Sequence, residues 1–484
     1  MKHRILSAAL SAFMLASLAA CGSSPAAADT TEGTTAPEIT DTTAPEVVEM
    51  LPDVEKKDYD GATFNILAPK WGLYKQYFFA DEQTGEAMND AIYERVLMVE
   101  EYLGVDITHQ LEGTINDVRP KVEAAVMSGD EPYQLVLTHC IQDLGAMVTE
   151  ELLYDWNTLP GVNLTREYWN QSCNEYLELY GKQYYANSDF MLADPNGVLF
   201  NKTMIDEFKL ESPFKLVREG KWTIDKMFEM GANVTTDLDG SGTFDLADRY
   251  GVTTERDWIN CSFLYSSGLR VTENADGAFK LNFYNDKMVD MVEKLYRGFI
   301  ESGDALAFKQ NAKPENGLRM DSGRVLFQIE ALVRLSNYRE TTVDFGILPY
   351  PKLDEAQEGY TTNDWSGLMA IPAAIKNPEM VGEVCEMLAY YSGDTTIPAY
   401  YDLMLGEKLA RDTESKEMLE LIFDGITYDP AITYLGFSSY TRNLFYTVPY
   451  MIIEQASNHV ASWYEQNSKG AEAEIEDFLA AVKK

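Results

Sequence analysis

The sequence predicts an α/β protein built from at least two lobes, on three observations. From Ala62 onward short apolar strands alternate with amphipathic helices, which favours α/β layers over an all-β or all-helical fold. The roughly 425 residues after position 57 exceed what one hydrophobic core holds. The composition, 45% hydrophobic with 24% charged, is that of an ordinary globular chain, so this length is expected to pack rather than stay disordered.

Taken in order, Thr63-Phe64-Asn65-Ile66-Leu67 reads as a strand that opens into a loop at Pro69-Lys70-Trp71-Gly72. Met88, Ile92, Val96 and Val99 recur at helical spacing and predict a helix over Glu86–Leu103, stopped by Gly104. Val105–Leu111 is a second strand, Val118–Met127 a helix, and Tyr133–Thr138 a compact strand ending at His139. Gly197–Phe200 and Tyr250–Thr253 read as strands separated by a helix that begins near Thr223, whose hydroxyl suits a cap. Asn274-Ala275-Asp276-Gly277 is a hairpin signal. Helix returns over Asp286–Ser302, with Met288, Met291, Val292, Leu295 and Phe299 on one face. Val325–Ile329, Phe345–Leu348 and Leu368–Ile371 have strand length, and the last hundred or so residues are dominantly helical.

The first twenty residues carry Lys2 and Arg4, an apolar stretch from Ile5 to Leu18, and Leu18-Ala19-Ala20-Cys21, the pattern of a lipoprotein leader. Residues 1–20 are therefore read as a signal peptide, with Cys21 as the acylated new N-terminus. Residues 21–57 are rich in Thr, Ala, Pro, Asp and Glu with almost no aromatics, and read as a disordered tether. No later stretch approaches about 18 uninterrupted apolar residues, so the lipid is the expected link to the membrane. The formal net charge of −39 argues against nucleic acid and anionic lipid surfaces, which repel such a chain. Cys140, Cys173, Cys261 and Cys385 form no C-x-x-C pair, so thiolate metal ligation is not expected. A Cys140–Cys173 disulfide and buried free thiols both remain open.

Several segments in order resemble the family 1 extracellular solute-binding proteins, the maltodextrin-binding type. They are Thr84-Gly85-Glu86 with Asn89-Asp90-Ala91 and Glu94-Arg95, Tyr180-Gly181-Lys182-Gln183-Tyr184-Tyr185, and Phe200-Asn201-Lys202. Further along come Glu219-Gly220-Lys221-Trp222-Thr223, Ser322-Gly323-Arg324-Val325-Leu326-Phe327, and Gly346-Ile347-Leu348-Pro349-Tyr350-Pro351-Lys352. The resemblance implies a two-lobed periplasmic-binding-protein-like fold of type II, hinged around an interlobe cleft. It suggests chain crossings near Tyr184–Asp189 and Tyr360–Ser366. Lobe 1 would then be 58–186 plus about 363–420, and lobe 2 would be 187–362 plus about 421–484. It further implies a monomeric binding protein of an ABC importer, held by its lipid on the extracellular face of a Gram-positive type membrane. Such a protein hands a mono- or oligosaccharide to the transmembrane subunits of a permease.

The sharpest local motif is the run 237–248. It places oxygens at loop positions 1, 3, 5, 9 and 12 through Asp237, Asp239, Ser241, Asp245 and Asp248. Thr243 offers a carbonyl at position 7, and Gly242 stands at 6 where the backbone turns sharply. This is the spacing of a calcium loop, with Asp248 where an EF-hand has glutamate, and a structural calcium ion is expected. A solvated acidic turn is the alternative.

Sugars offer hydroxyls to polar side chains and flat C–H faces to rings. By the positions the resemblance gives to cleft residues, the candidates are Trp71 and Tyr74 after the first strand, and His139, Gln142 and Asp143 after the Tyr133 strand. Tyr185 and Asp189 lie at the first inferred crossing, Asp364 and Trp365 at the second; Trp258 and Glu330 complete the set. No catalytic residue is expected. There is no G-x-S-x-G elbow, H-E-x-x-H, P-loop or dinucleotide fingerprint. A secreted glycan-active enzyme, whose acid and base are two carboxylates, and a calcium-stabilised adhesion lipoprotein are the alternatives weighed.

Overall fold

A computed structural model describes residues 52–140, 142, 144–309, 317–409, 412–436 and 438–484. Cys21, the leader and all of the tether up to Leu51 lie outside the described residues. The compact unit runs from Asp53 to Lys484, so it begins five residues before the expected boundary at 58. The physical reason is that these residues dock. Val54 is buried, Asp53 pairs with Arg166 at 2.7 Å, and Lys57 pairs with Glu379 and Glu383 at 2.7 and 2.6 Å.

Among the described residues nine strands form two separate sheets: β1 (Ala62–Pro69), β2 (Val105–Glu112), β3 (Leu135–Leu137), β4 (Asn196–Asn201), β5 (Tyr250–Arg256), β6 (Ala305–Lys309), β7 (Val325–Ala331), β8 (Phe345–Leu348) and β9 (Met369–Ala370). The first sheet has the order β9-β3-β1-β2. Its β1 runs parallel to β2 and β3, and the returning β9 is antiparallel to β3. The second sheet has the order β6-β5-β7-β4-β8, with β5 parallel to β6 and β7, and β4 antiparallel to β7 and β8. Strands β3, β4, β7 and β8 are buried along their whole length. That accounts for their near-continuous apolar sequence, because helices cover both faces of such sheets.

The helices form where the sequence places their signals. Glu86 accepts the amide of Asn89 at 2.8 Å, capping Ala87–Leu103, and Gly104 ends it in the left-handed region at φ 61°. Met88, Ile92, Val99 and Leu103 face the core. Thr223 caps Ile224–Ala232 by accepting the amide of Lys226 at 3.3 Å. Trp222, fully buried beside it, donates its indole N–H to the Pro349 carbonyl at 2.9 Å. Losing so large a buried side chain typically costs about 3–5 kcal/mol.

The chain passes from the first sheet to the second between Leu192 and Asn196, not at Tyr184–Asp189. Up to Ala186 it is still bound to the first sheet, through its bridge with Met369, and Phe190, Met191 and Leu192 remain in the same core. The return passes through Asn363–Ser366, within the expected segment. Helices Pro378–Asp394 and Thr396–Leu409 pack on Ala87–Leu103, whereas Thr413–Asp424 packs on β8 of the second sheet. Lobe 1 therefore gives way before 413 rather than at about 420.

One element of the second half reaches across to the first. The hairpin Thr272–Ala275/Ala278–Leu281 turns through Asp276 and Gly277, both at positive φ as its turn type requires. The Gly277 carbonyl accepts the Tyr180 amide at 2.6 Å, and Phe279 packs among lobe 1 residues. No disulfide joins Cys140 to Cys173. Cys173 is fully buried and its Sγ lies 3.8 Å from the Tyr185 carbonyl.

Candidate ligand cleft

The two crossing segments lie side by side. The Asp194 amide donates to Asp364 Oδ1 at 2.8 Å, the Trp365 amide donates to the Asp194 carbonyl at 3.2 Å, and Pro195 bridges Asp364. Where they meet, a cavity of about 50 Å³ is lined by Trp71, Tyr74, His139, Asp194, Trp365 and Ser366 among others. The lobe 1 wall comes from the carboxyl ends of β1 and β3, where a parallel sheet stops pairing and its chain turns outward. Trp71 follows β1 and stays half exposed at the mouth. Its ring meets the His139 ring edge-on at 6.5 Å.

Tyr74 is buried and donates its hydroxyl to the Thr138 carbonyl, just after β3. That contact explains Gly367. A Cβ there would stand 1.6 Å from the Thr138 oxygen and 2.0 Å from the Tyr74 hydroxyl, so only glycine lets the return segment close on this wall. Burial pushes the His139 imidazole down to about 4, which keeps it neutral at physiological pH. Behind it Gln142 is buried, and its Oε1 accepts the His139 amide at 3.0 Å.

Beside the cavity, on the second-sheet side, lie charged groups that are paired. Trp258 follows β5 and packs edge-on to Trp365 at 4.6 Å, with the Arg334 guanidinium 5.8 Å from its ring centre. Buried Glu255 is held between Arg319 at 2.7 Å and Arg334 at 2.9 Å. On the floor, burial and then the neighbouring Asp364 charge push the Asp194 carboxyl up to about 7, against a smaller pull from Arg334.

The structure thus gathers Trp71, Tyr74, His139 and Trp365 around one cavity, with Gln142 behind it and Trp258 at its flank. Other candidates fall elsewhere. Tyr185 is fully buried in the lobe 1 core, packed on Tyr434 and donating to the Leu144 carbonyl at 2.8 Å. It is out of reach because the chain here still belongs to the first sheet. Asp189 lies on the same side, its amide bound to the Tyr168 carbonyl at 2.8 Å.

Glu330 is buried in a network of its own. Its carboxylate accepts from Gln328 and Tyr338, both at 2.7 Å, and from the Ala331 amide at 3.0 Å. Asp364 is close to the cavity but committed: it accepts from the amides of Asp194 and Ser366, the Ser366 hydroxyl and the Tyr428 hydroxyl. Asp143 lies outside the described residues. Asp194 is the residue that sequence reasoning missed. Its signal is the break Ala193-Asp194-Pro195-Asn196, polar residues and a proline set between an apolar run and a buried strand.

In the loop 237–248, one carboxylate oxygen each from Asp237, Asp239 and Asp248 lies within 4.8 Å of the others. Oxygens on opposite sides of a calcium ion, each at roughly 2.4 Å, are about that far apart, so these three fit a hard cation. Asp237 accepts the amides of Gly240 and Gly242, both at 2.7 Å, which hold its carboxyl below the usual range. Asp248 accepts the amides of Leu238 and Asp245, both at 2.8 Å. Gly242 has φ 80°, the left-handed turn the motif requires. Ser241 donates to the Thr243 carbonyl at 2.9 Å, and Asp245, which accepts the Ala247 amide at 2.7 Å, stands outside the carboxylate cluster.

No protein family and no curated protein matches the sequence. Solved structures do match in fold. A cyclo/maltodextrin-binding protein complexed with maltotetraose aligns over 84% of this chain and 98% of its own, at TM-score 0.56 and 16% identity. UgpB from Mycobacterium tuberculosis, in complex with glycerophosphocholine, aligns over 80% and 95% at TM-score 0.55 and 16% identity. The GacH receptor of Streptomyces glaucescens, solved unliganded and with acarbose, aligns over 85% and 99% at TM-score 0.54 and 11% identity. With two sheets, paired crossings and an aromatic floor between them, the chain has the two-lobed fold of the solute-binding proteins of ABC importers.

Proposed function

We propose that this protein is the solute-binding component of an ABC importer, capturing a carbohydrate between its lobes and delivering it to the permease. The observation that carries the reading is the cavity where the two crossings meet, walled by Trp71, His139 and Trp365. Rings facing a cavity suit the C–H faces of a sugar. A ligand touching both lobes shifts the balance between open and closed forms by its differential affinity for them, and the closed form is the signal to the permease. The likeness to maltodextrin- and acarbose-binding proteins supports binding over catalysis. Calorimetry on the chain from Gly22 onward, which keeps the docked residues Asp53–Lys57, tests it against a glycan panel. Micromolar binding with compaction in small-angle scattering is expected; turnover of a glycan, or a rigid particle that never compacts, would overturn it.

Two further parts of this reading stand beside the cleft. Cys21 carries the lipid that holds the protein on the extracellular face, and Cys21→Ser should release it into the medium. The loop 237–248 takes calcium through Asp237, Asp239 and Asp248, with a structural role and no part in chemistry. Among the described residues no helix is long and apolar enough to cross a membrane.

A further inference from the structure

Around the cleft floor three buried polar atoms have no hydrogen-bond partner among the described residues: Asp194 Oδ1, Trp365 Nε1 and Gln142 Nε2. Buried polar groups are nearly always paired, because leaving one unmade costs about 1–3 kcal/mol. In a protein that closes on a solute, unpaired atoms at the point of closure mark where the solute belongs. Asp194 and Trp365 line the same cavity and are joined through their backbones, so one ligand there can reach both residues.

The chemistry of the two cavity-lining atoms restricts that ligand. Asp194 Oδ1 needs a donor when ionised and can itself donate when protonated, while the indole N–H needs an acceptor. A cationic ligand would satisfy the carboxylate and leave the indole N–H unmet. An anionic one would meet that donor but face Asp194 and Asp364, and the nearby Arg334 is engaged with Glu255 and Glu330. A hydroxyl both donates and accepts. The cavity, about 50 Å³, has room for only a few waters, each of which needs about 10–15 Å³ of such space. What seats here is therefore one hydroxylated edge, with the rest of the ligand extending towards Trp71 at the mouth.

Resting on the solute-binding reading above, we infer that Asp194 and Trp365 grip a pair of adjacent hydroxyls on a neutral sugar or polyol. One hydroxyl donates to Asp194 Oδ1 and the other accepts from Trp365 Nε1, making these two the specificity-determining residues of the cleft.

Calorimetry on the chain from Gly22 onward, with maltotriose, tagatose, lacto-N-biose and ribitol as neutral probes and glycerophosphocholine as the charged one, tests this. A neutral probe should bind, and Asp194→Ala and Trp365→Phe should each weaken it by about tenfold or more, the loss of a charged or buried hydrogen bond. Asp194→Asn, which keeps shape and one acceptor, should recover part of the loss. The indole N–H resonance of Trp365, identified by its absence in Trp365→Phe, should move downfield on saturation, a change that a purely structural tryptophan would not show.

If both variants bind the neutral probe as tightly as the parent and still compact, this inference is overturned and the solute-binding reading stands. Binding of glycerophosphocholine alone also overturns it and leaves that reading intact. No heat from any probe, with no compaction, overturns both.

Discussion

In the acidic loop the clustered carboxylates take amide hydrogens from their own turn: Asp237 from Gly240 and Gly242, Asp239 from Ser241, Asp248 from Leu238 and Asp245. On the cleft floor, among the described residues, Asp194 keeps a covered oxygen without a donor and Trp365 an indole N–H without an acceptor. The loop is locally complete, so an ion adds to a turn that is already held. The floor is complete only with something in it. The contrast teaches that acidic clusters are not alike: one is satisfied within a dozen residues of chain, the other is assembled from segments some 170 residues apart and left open.

Four measurements sharpen or break that contrast, in descending order of expected effect. Gly367→Ala drives a methyl into the Thr138 carbonyl and the Tyr74 hydroxyl. It should cost about 3 kcal/mol in urea unfolding, the upper range for overpacking. A near-neutral result would mean that the floor is loose rather than built.

Second, the floor should titrate. His139 falls to about 4 in the folded state from about 6.5 unfolded, so its contribution is present above pH 6.5 and is lost as pH drops towards 4. Asp194 rises to about 7 from about 3.9, so its contribution is present below pH 3.9 and is lost as pH climbs through 7. Relative to the parent, His139→Asn should therefore lose less stability on acidification from pH 6.5 to 4. Asp194→Asn should pull ahead of the parent on going from pH 4 to 7. Each difference is on the order of 2 kcal/mol across its window. Parallel profiles for both variants and the parent would remove the floor's electrostatic character.

Third, Trp71→Ala should weaken the best neutral ligand by about tenfold, or ~1.4 kcal/mol, while unfolding stability moves by less than about 0.5 kcal/mol, because the ring is half exposed. A large stability loss would make Trp71 a packing residue. Fourth, millimolar calcium should raise stability by only about 1 kcal/mol over a chelated sample, as extracellular-type affinities imply, and Asp239→Asn should erase the gain. A rise of many kcal/mol, or unfolding in chelator, would contradict a loop that is already held by its own amides.

Much of the scaffold is legible in the sequence because its signals are local. Glu86 and Gly104 bound their helix, Thr223 caps its own, and Asp276-Gly277 turns the hairpin, each through contacts within a few residues. The cleft is legible where a candidate follows directly on a strand end, as Trp71 and His139 do, and at the return crossing, where Trp365 lies. Tyr185 sits beside a segment that returns to pair with Met369, and that long-range bridge leaves no trace in neighbouring residues. Asp194 escaped notice for the same reason: its meaning comes from Asp364 on the other crossing. The helical character of the last hundred residues is visible, but not that Thr413–Asp424 packs on β8, since an apolar stripe does not name its partner.

The hairpin that lays Gly277 against Tyr180 ties the two halves at a place remote in sequence from the paired crossings. It is one of several ties, with the chain passage between Leu409 and Thr413 and the Tyr434 hydroxyl that donates to the Leu177 carbonyl. Any movement of one half on the other is therefore shared among segments far apart in the chain, and a bound solute acts on all of them together.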